Sequence, residues 1–192
     1  MRISAAAKAE TRERLLSSAR RMFAERGYDR TTTRDIAIAS GVATGTLFNY
    51  FESKEALGMV LLARAFEQAP VERSQAGSLE GALFSHAAAT LRCMGAFRSW
   101  AARVLLGASA DPARVAGAGS LRARVIEVSS ELVAEYGRGS LSPVMLHLYW
   151  TLYSGVVAFW SGDTSENQSD SHGLLARSLR LFVRALDESA AA

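Results

Sequence analysis

Between Gly41 and Lys54 the chain places small neutral polar groups beside flat aromatic rings, a mixture unlike the inside of a globular protein. The run Thr44-Gly45-Thr46-Leu47-Phe48-Asn49-Tyr50 offers hydroxyls, a carboxamide and two rings. A threonine hydroxyl can bond to base edges or phosphates and its methyl can meet a thymine methyl, while asparagine can pair bidentately with adenine. Gly45 lets a helix N-terminus approach closely, and the free amides there favour phosphate. Arg34 and Lys54 flank the run as cations able to grip a phosphodiester backbone, contacts that position a protein without reading sequence. The residues expected to carry this chemistry are Thr32, Thr33, Arg34, Thr44, Gly45, Thr46, Asn49, Tyr50 and Lys54.

Such side chains need a scaffold that turns them outward. Leu15, Ala19, Met22 and Phe23 repeat at helical spacing and predict a first helix from about Ala7 to Arg26, stopped by Gly27. Thr32 is a good N-cap for a second helix, and Asp35 three residues on completes a capping-box spacing. Ser40-Gly41 ends that helix, and another run, Ala43 to Tyr50, follows almost at once. Two short helices joined by a tight glycine-containing turn make a helix-turn-helix. Ile36, Ala37, Val42, Leu47 and Phe51 are expected to lock the pair against the first helix. Ser53 caps a fourth helix, Lys54 to about Gln68.

From Gly27 to Ala37 and from Gly41 to Leu57, the order and spacing of these residues resemble the signature of the TetR family of transcriptional regulators. The resemblance covers about residues 10–60. It implies an all-α homodimer of about nine helices, with an N-terminal helix-turn-helix domain (1–55) and a larger effector-binding and dimerisation domain (56–192). It also implies double-stranded operator DNA as partner, an unidentified small-molecule effector and a cytoplasmic location. Two positions depart from the pattern. Ala43 stands where serine is usual and removes a capping hydroxyl worth about 1 kcal/mol. Phe48 stands where tyrosine is common and lacks its phenolic oxygen. These departures keep open a helical ligand-binding or adaptor protein with weakened DNA binding, and activation stays open beside repression.

The composition agrees with a basic end on a neutral body. Residues 1–55 hold ten Lys/Arg against seven Asp/Glu, and the other 137 hold twelve of each, so the whole net charge of +3 lies in the first quarter. A surplus placed so suggests an anionic partner there. The single cysteine, Cys93, excludes an internal disulfide framework and reads as a buried thiol. The first residues lack a signal-peptide core. Pro143 to Trp160 is mostly apolar but is interrupted by His147, Thr151, Ser154 and Gly155, so it predicts a buried helix rather than a membrane span. No nucleophile elbow, phosphate loop, dinucleotide fingerprint or zinc-protease motif occurs, and neither catalytic residues, a cofactor nor a metal is expected. The three histidines are too scattered for a metal site.

Further helices are expected at about 78–94, 97–109, 120–136, 142–161 and 171–188, with Pro112 and Pro143 in first turns. Phe84, His86, Trp100, His147, Trp150 and Tyr153 combine apolar area with polar handles and are candidate effector contacts. On the helix at 142–161, Thr151, Ser154, Gly155 and Ala158 form a small-residue face. The last helix shows an apolar seam of Leu175, Leu179, Phe182 and Leu186. By resemblance these last two helices pair across a dimer.

Overall fold

A computed structural model describes residues 4–71, 77–110 and 118–190. The described residues form nine α-helices and no strand: α1 (Ala5–Arg26), α2 (Thr33–Ala39), α3 (Thr44–Phe48), α4 (Lys54–Glu67), α5 (Leu79–Cys93), α6 (Arg98–Ala110), α7 (Ala118–Glu135), α8 (Pro143–Gly162) and α9 (Ser169–Ala190). Element ends agree with the expected ones to within two residues or so. The break expected around Asp111-Pro112 and part of the loop after Pro70 lie outside the described residues.

Local chemistry explains most of these boundaries. The hydroxyls of Ser4, Ser53, Ser78 and Ser142 each accept a hydrogen bond from an amide in the following first turn. Those amides have no partner within the helix, so a capping oxygen removes an unsatisfied donor. Pro143 follows its cap at the first helical position, where a missing N–H costs nothing. Gly27 ends α1 with φ +84°, a conformation side chains resist.

One continuous apolar core runs from α1 to α9. Helix α4 joins its two ends. It packs on α1 on one side and on α6 and α7 on the other, which explains why nine of its residues are buried. Helix α8 lies chiefly against α6 and α9, and α9 lies against α5 and α8. The ring of Tyr149 meets Phe182 edge-on at 5.1 Å. Leu175, Leu179, Phe182 and Leu186 are all buried within the protomer, Phe182 completely. That corrects their expected place in a dimer interface. A helix this amphipathic has one apolar stripe, and here its own subunit consumes it. Despite its apolar sequence, α8 is no exception to the rule that no helix among the described residues is long and apolar enough to cross a membrane.

Cys93 is half-buried rather than buried, at the edge of an open groove of about 290 Å³ between α1 and α4.

The turn from α8 to α9 is organised by one carboxylate. Asp163 accepts hydrogen bonds from the amides of Ser165 (2.8 Å) and Ser171 (2.9 Å) and from the Ser171 hydroxyl (2.5 Å). Arg98 spans from α6 to the same turn, donating to the carbonyls of Trp160 and Asp163. The serine hydrogen bonds hold the Asp163 carboxyl well below the usual carboxylate range. A depressed folded-state pKa contributes stability above the unfolded value, about 4, and loses it as pH falls through the folded one. Asp163→Asn is therefore expected to lower the thermal midpoint at pH 7, with the gap from wild type narrowing below about pH 4; circular-dichroism melts at both pH values check this.

Candidate nucleic-acid interface

The helix-turn-helix is assembled from backbone capping and a few buried side chains. Thr32 accepts from the amide of Asp35 at 3.1 Å while Asp35 accepts from the amide of Thr32 at 3.0 Å, the reciprocal capping box its spacing called for. The Thr32 hydroxyl and amide bonds hold the Asp35 carboxyl below its ordinary range. At the other end, the Ser40 hydroxyl donates to the carbonyl of Ile36 at 2.7 Å. The amide of Val42 reaches back to the carbonyl of Ala37 at 3.0 Å, across a turn that needs Gly41 at φ +69°. Ile36, Ala37 and Leu47 are fully buried, and Phe51 nearly so, with the Arg12 guanidinium over its ring.

Burying Leu47 decides which way α3 faces. At 100° per residue the outward arc is occupied by Gly45 and Asn49, flanked by Phe48 and Thr44 on one side and Thr46 on the other. Gly45, Phe48 and Asn49 are exposed, while Thr44, Thr46 and Tyr50 are half-buried. Tyr50 leans against the core, so its ring is partly structural. No hydroxyl caps α3, since its N-cap is Ala43. Thr32 and Arg34 are exposed on α2 and Thr33 is half-buried. The candidate surface is therefore an uncharged face on α3, with Arg34 an exposed cation on α2.

Lys54 behaves differently from its expected role as an outward clamp. Its ammonium donates to the carbonyls of Tyr28 (3.0 Å) and Thr31 (3.1 Å) and lies 4.3 Å from the centre of the Tyr28 ring. Two of its three donors thus face the α1–α2 turn, where they fix the start of α4 to the helix-turn-helix. Thr31, completely buried, adds a bond to the carbonyl of Gly27 at 2.8 Å. The side chain is spent on holding the reading head together.

The candidate effector residues separate into three places. His86 and Tyr153 are buried around Phe66, whose ring meets them edge-on at 5.3 and 6.3 Å, and buried Trp150 lies against Tyr153 with ring centres 6.4 Å apart. Trp100 instead stacks on Tyr28 at 5.1 Å, in the seam between α6 and the reading head. His147 is exposed on α8 near Arg122, and Phe84 is half-buried beside His172. In the central cluster Pro70 offers only a carbonyl oxygen to His86 Nδ1 at 3.2 Å, so Nδ1 carries the proton. Burial lowers the His86 pKa and keeps the ring neutral. Its Nε2 is then a buried acceptor without a partner among the described residues.

Of the small-residue face on α8, Thr151 and Gly155 are exposed and Ala158 half-buried, but Ser154 points inward and is buried. The outward stripe instead continues through Val144 and Phe159, 75% and 46% exposed, with Leu181 of α9 61% exposed. Sequence reading passed over these three, and placed Phe48 on the α3 face without counting it among the expected contacts. Their signal was the four-residue repeat Thr151, Gly155, Phe159, and the position of Phe48 directly after an inward Leu47.

Residues 15–58 match the family described as bacterial regulatory proteins, tetR family. Over 50 residues the chain is 48% identical to the HTH-type transcriptional repressor KstR2 of Rhodococcus jostii, covering 26% of this chain and 24% of that protein. The chain thus spans about a quarter of the length of that curated relative. Whole-chain likeness comes from structures. A TetR transcriptional regulator from Rhodococcus sp. RHA1 superposes with a TM-score of 0.72 at 20% identity, over 91% of this chain and 97% of that one. Thermus thermophilus FadR, a TetR-family transcriptional repressor solved in complex with lauroyl-CoA, gives 0.68 at 26% identity, over 90% and 93%. Residues 15–58 thus carry the N-terminal domain of tetR-family regulators, and the chain as a whole shares the fold of the TetR regulators whose structures it matches.

Proposed function

We propose that the protein is a dimeric repressor that binds a near-palindromic operator through α3 and is released by a small apolar or amphipathic effector. The observation that carries this reading is the outward, uncharged face of α3, held there by the complete burial of Leu47. A helix in the major groove presents its outward residues to base edges. Residues 1–55 act as the reading head and residues 56–192 as the effector and dimerisation part. KstR2, a repressor by name, supports repression. Such a protein works where the DNA is, in the cytoplasm.

Reading a two-fold site needs two heads held at a fixed spacing, about one helical turn apart. The outward stripe of α8, running through Val144, Thr151, Gly155 and Phe159 beside Leu181, is the surface proposed for self-pairing. It is apolar, and the absence of a side chain at Gly155 allows two helices to approach. The bound acyl-CoA of FadR supports an amphipathic effector. The cluster around Phe66, with the unpaired Nε2 of His86 inside it, supplies both apolar area and one polar handle. From there a change can reach the head through α6. Trp100 of α6 stacks on Tyr28, which carries the Lys54 ammonium over its other contacts, and Arg103 of α6 pairs with Asp29. A difference in effector affinity between two head spacings of 1–3 kcal/mol changes operator affinity about 5- to 150-fold.

Two measurements test these roles. Operator affinity, measured against the DNA flanking its gene, is expected to fall steeply with salt, and Arg34→Ala to weaken all duplexes alike while reducing the logarithmic salt slope by about 1; binding indifferent to salt would count against the reading. Gly155→Arg is expected to convert the dimer to a monomer in sedimentation analysis, and an unchanged mass would move the interface elsewhere.

A further inference from the structure

We propose that the base pairs beneath α3 are A·T pairs, read by Asn49 together with the exposed ring of Phe48, and that α3 recognises no guanine. This rests on the DNA-reading role proposed above and adds to it the class of sequence read.

Guanine presents two acceptors to the major groove, and its usual reader is the paired donors of Arg or Lys. From Gly41 to Phe51 the chain has no Arg, Lys, His or Gln. The neighbouring cations do not fill the gap. Lys54 has its ammonium on the carbonyls of Tyr28 and Thr31, and Arg34 sits on α2, the helix that crosses the backbone in this motif. What α3 presents on its outward arc matches adenine and thymine; Thr44 and Thr46, whose hydroxyls can serve either pair, are half-buried on its flanks. Asn49, exposed, has the adjacent donor and acceptor that pair with adenine N7 and N6. Phe48 is 48% exposed, and its ring has no polar atom. The one apolar feature on the major-groove edges is the thymine methyl. The two side chains are neighbours on the outward arc, so together they can address both strands of adjoining A·T pairs.

Neither side chain has the reach of arginine, and both touch base edges only if the helix seats deeply. Gly45 lies one turn before Asn49 on the same arc. A Cβ added there would meet no atom within 4 Å, and the backbone is not in the left-handed region. Nothing in the subunit therefore requires glycine, which costs about 1 kcal/mol relative to alanine inside a helix. A surface pressed against the backbone at Gly45 accounts for it.

The test uses the full-length protein and duplexes enriched from a random-sequence pool. In the selected site each thymine is replaced in turn by uracil, which deletes only the methyl, and each guanine by 7-deazaguanine, which deletes the N7 acceptor. Affinities are read by fluorescence anisotropy. At one or two thymines per half-site, uracil is expected to weaken wild-type binding about fourfold. Phe48→Ala should bind more weakly overall yet be indifferent to the same replacement, with an unchanged thermal midpoint. Asn49→Ala should lose about tenfold or more at one adenine, and 7-deazaguanine should have no effect within the α3 footprint. A flat uracil scan, or a guanine whose N7 matters tenfold there, would overturn the inference while leaving DNA binding intact. A pool that yields no enriched site would remove it together with the reading beneath it.

Discussion

The Lys54 ammonium, held between two carbonyls and an aromatic ring, is the contact on which the candidate interface depends. An amine in that position saturates the carbonyls of Tyr28 and Thr31 at the exit of the α1–α2 turn. The Tyr28 carbonyl also accepts from the Thr31 amide at 3.3 Å, and a charged donor makes a stronger bond than a neutral one. The same residue begins α4, capped by Ser53. One side chain thereby ties the helix-turn-helix to the helix that carries on into the remainder of the protein. The two short helices, of seven and five residues, are marginal by themselves; the burial of Ile36, Ala37 and Leu47 sets them against each other, and Lys54 ties the turn before them to α4.

That tether also explains why the aromatic residues of the seam are where they are. Tyr28 lies under the ammonium on one side and against Trp100 on the other, and Phe23 packs edge-on to Trp100 at 5.4 Å. Gly58 permits the contact, because a Cβ there would come within 3.2 Å of both Trp100 and Val104. Here glycine is needed for packing, in contrast to Gly45, where the subunit leaves open space. An ion pair between Arg103 and Asp29 bridges the same seam, and one between Arg64 and Glu13, at 2.5 and 2.6 Å, joins α4 to α1. Arg64 is half-buried and the other three partners are exposed, so each pair contributes about 0.2–1 kcal/mol, as surface ion pairs do. The aromatic packing sets the geometry and the ion pairs trim it.

The core and the surface of the C-terminal part divide along the same lines. An amphipathic helix has one apolar stripe to give, and α9 gives it to α5 and α8. Helix α8 is apolar nearly all round. It can fill the subunit with Tyr149, Tyr153, Val156 and Trp160 and still show Val144 and Phe159 outside. Apolar surface in excess of what one subunit can bury is what a second copy would cover.

Much of this was written in local sequence. Caps at Ser53, Ser142 and Thr32, the glycine stops at 27 and 41, and the three- and four-residue repeats act within a turn or two, so helix number and boundaries could be read from spacing alone, while Tyr50, expected on the outward face of α3, leans against the core. Tertiary structure decided what depends on partners far away in the chain. Lys54 looked like an outward cation because nothing in its neighbours announces two carbonyls more than twenty residues upstream. Leu175, Leu179, Phe182 and Leu186 had the same periodicity whether they faced their own subunit or another. Trp100, a candidate ligand contact by type, packs on Tyr28 and Phe23 where α6 meets the N-terminal helices. Periodicity tells which residues share a face, and only the packing of the folded chain determines what that face meets.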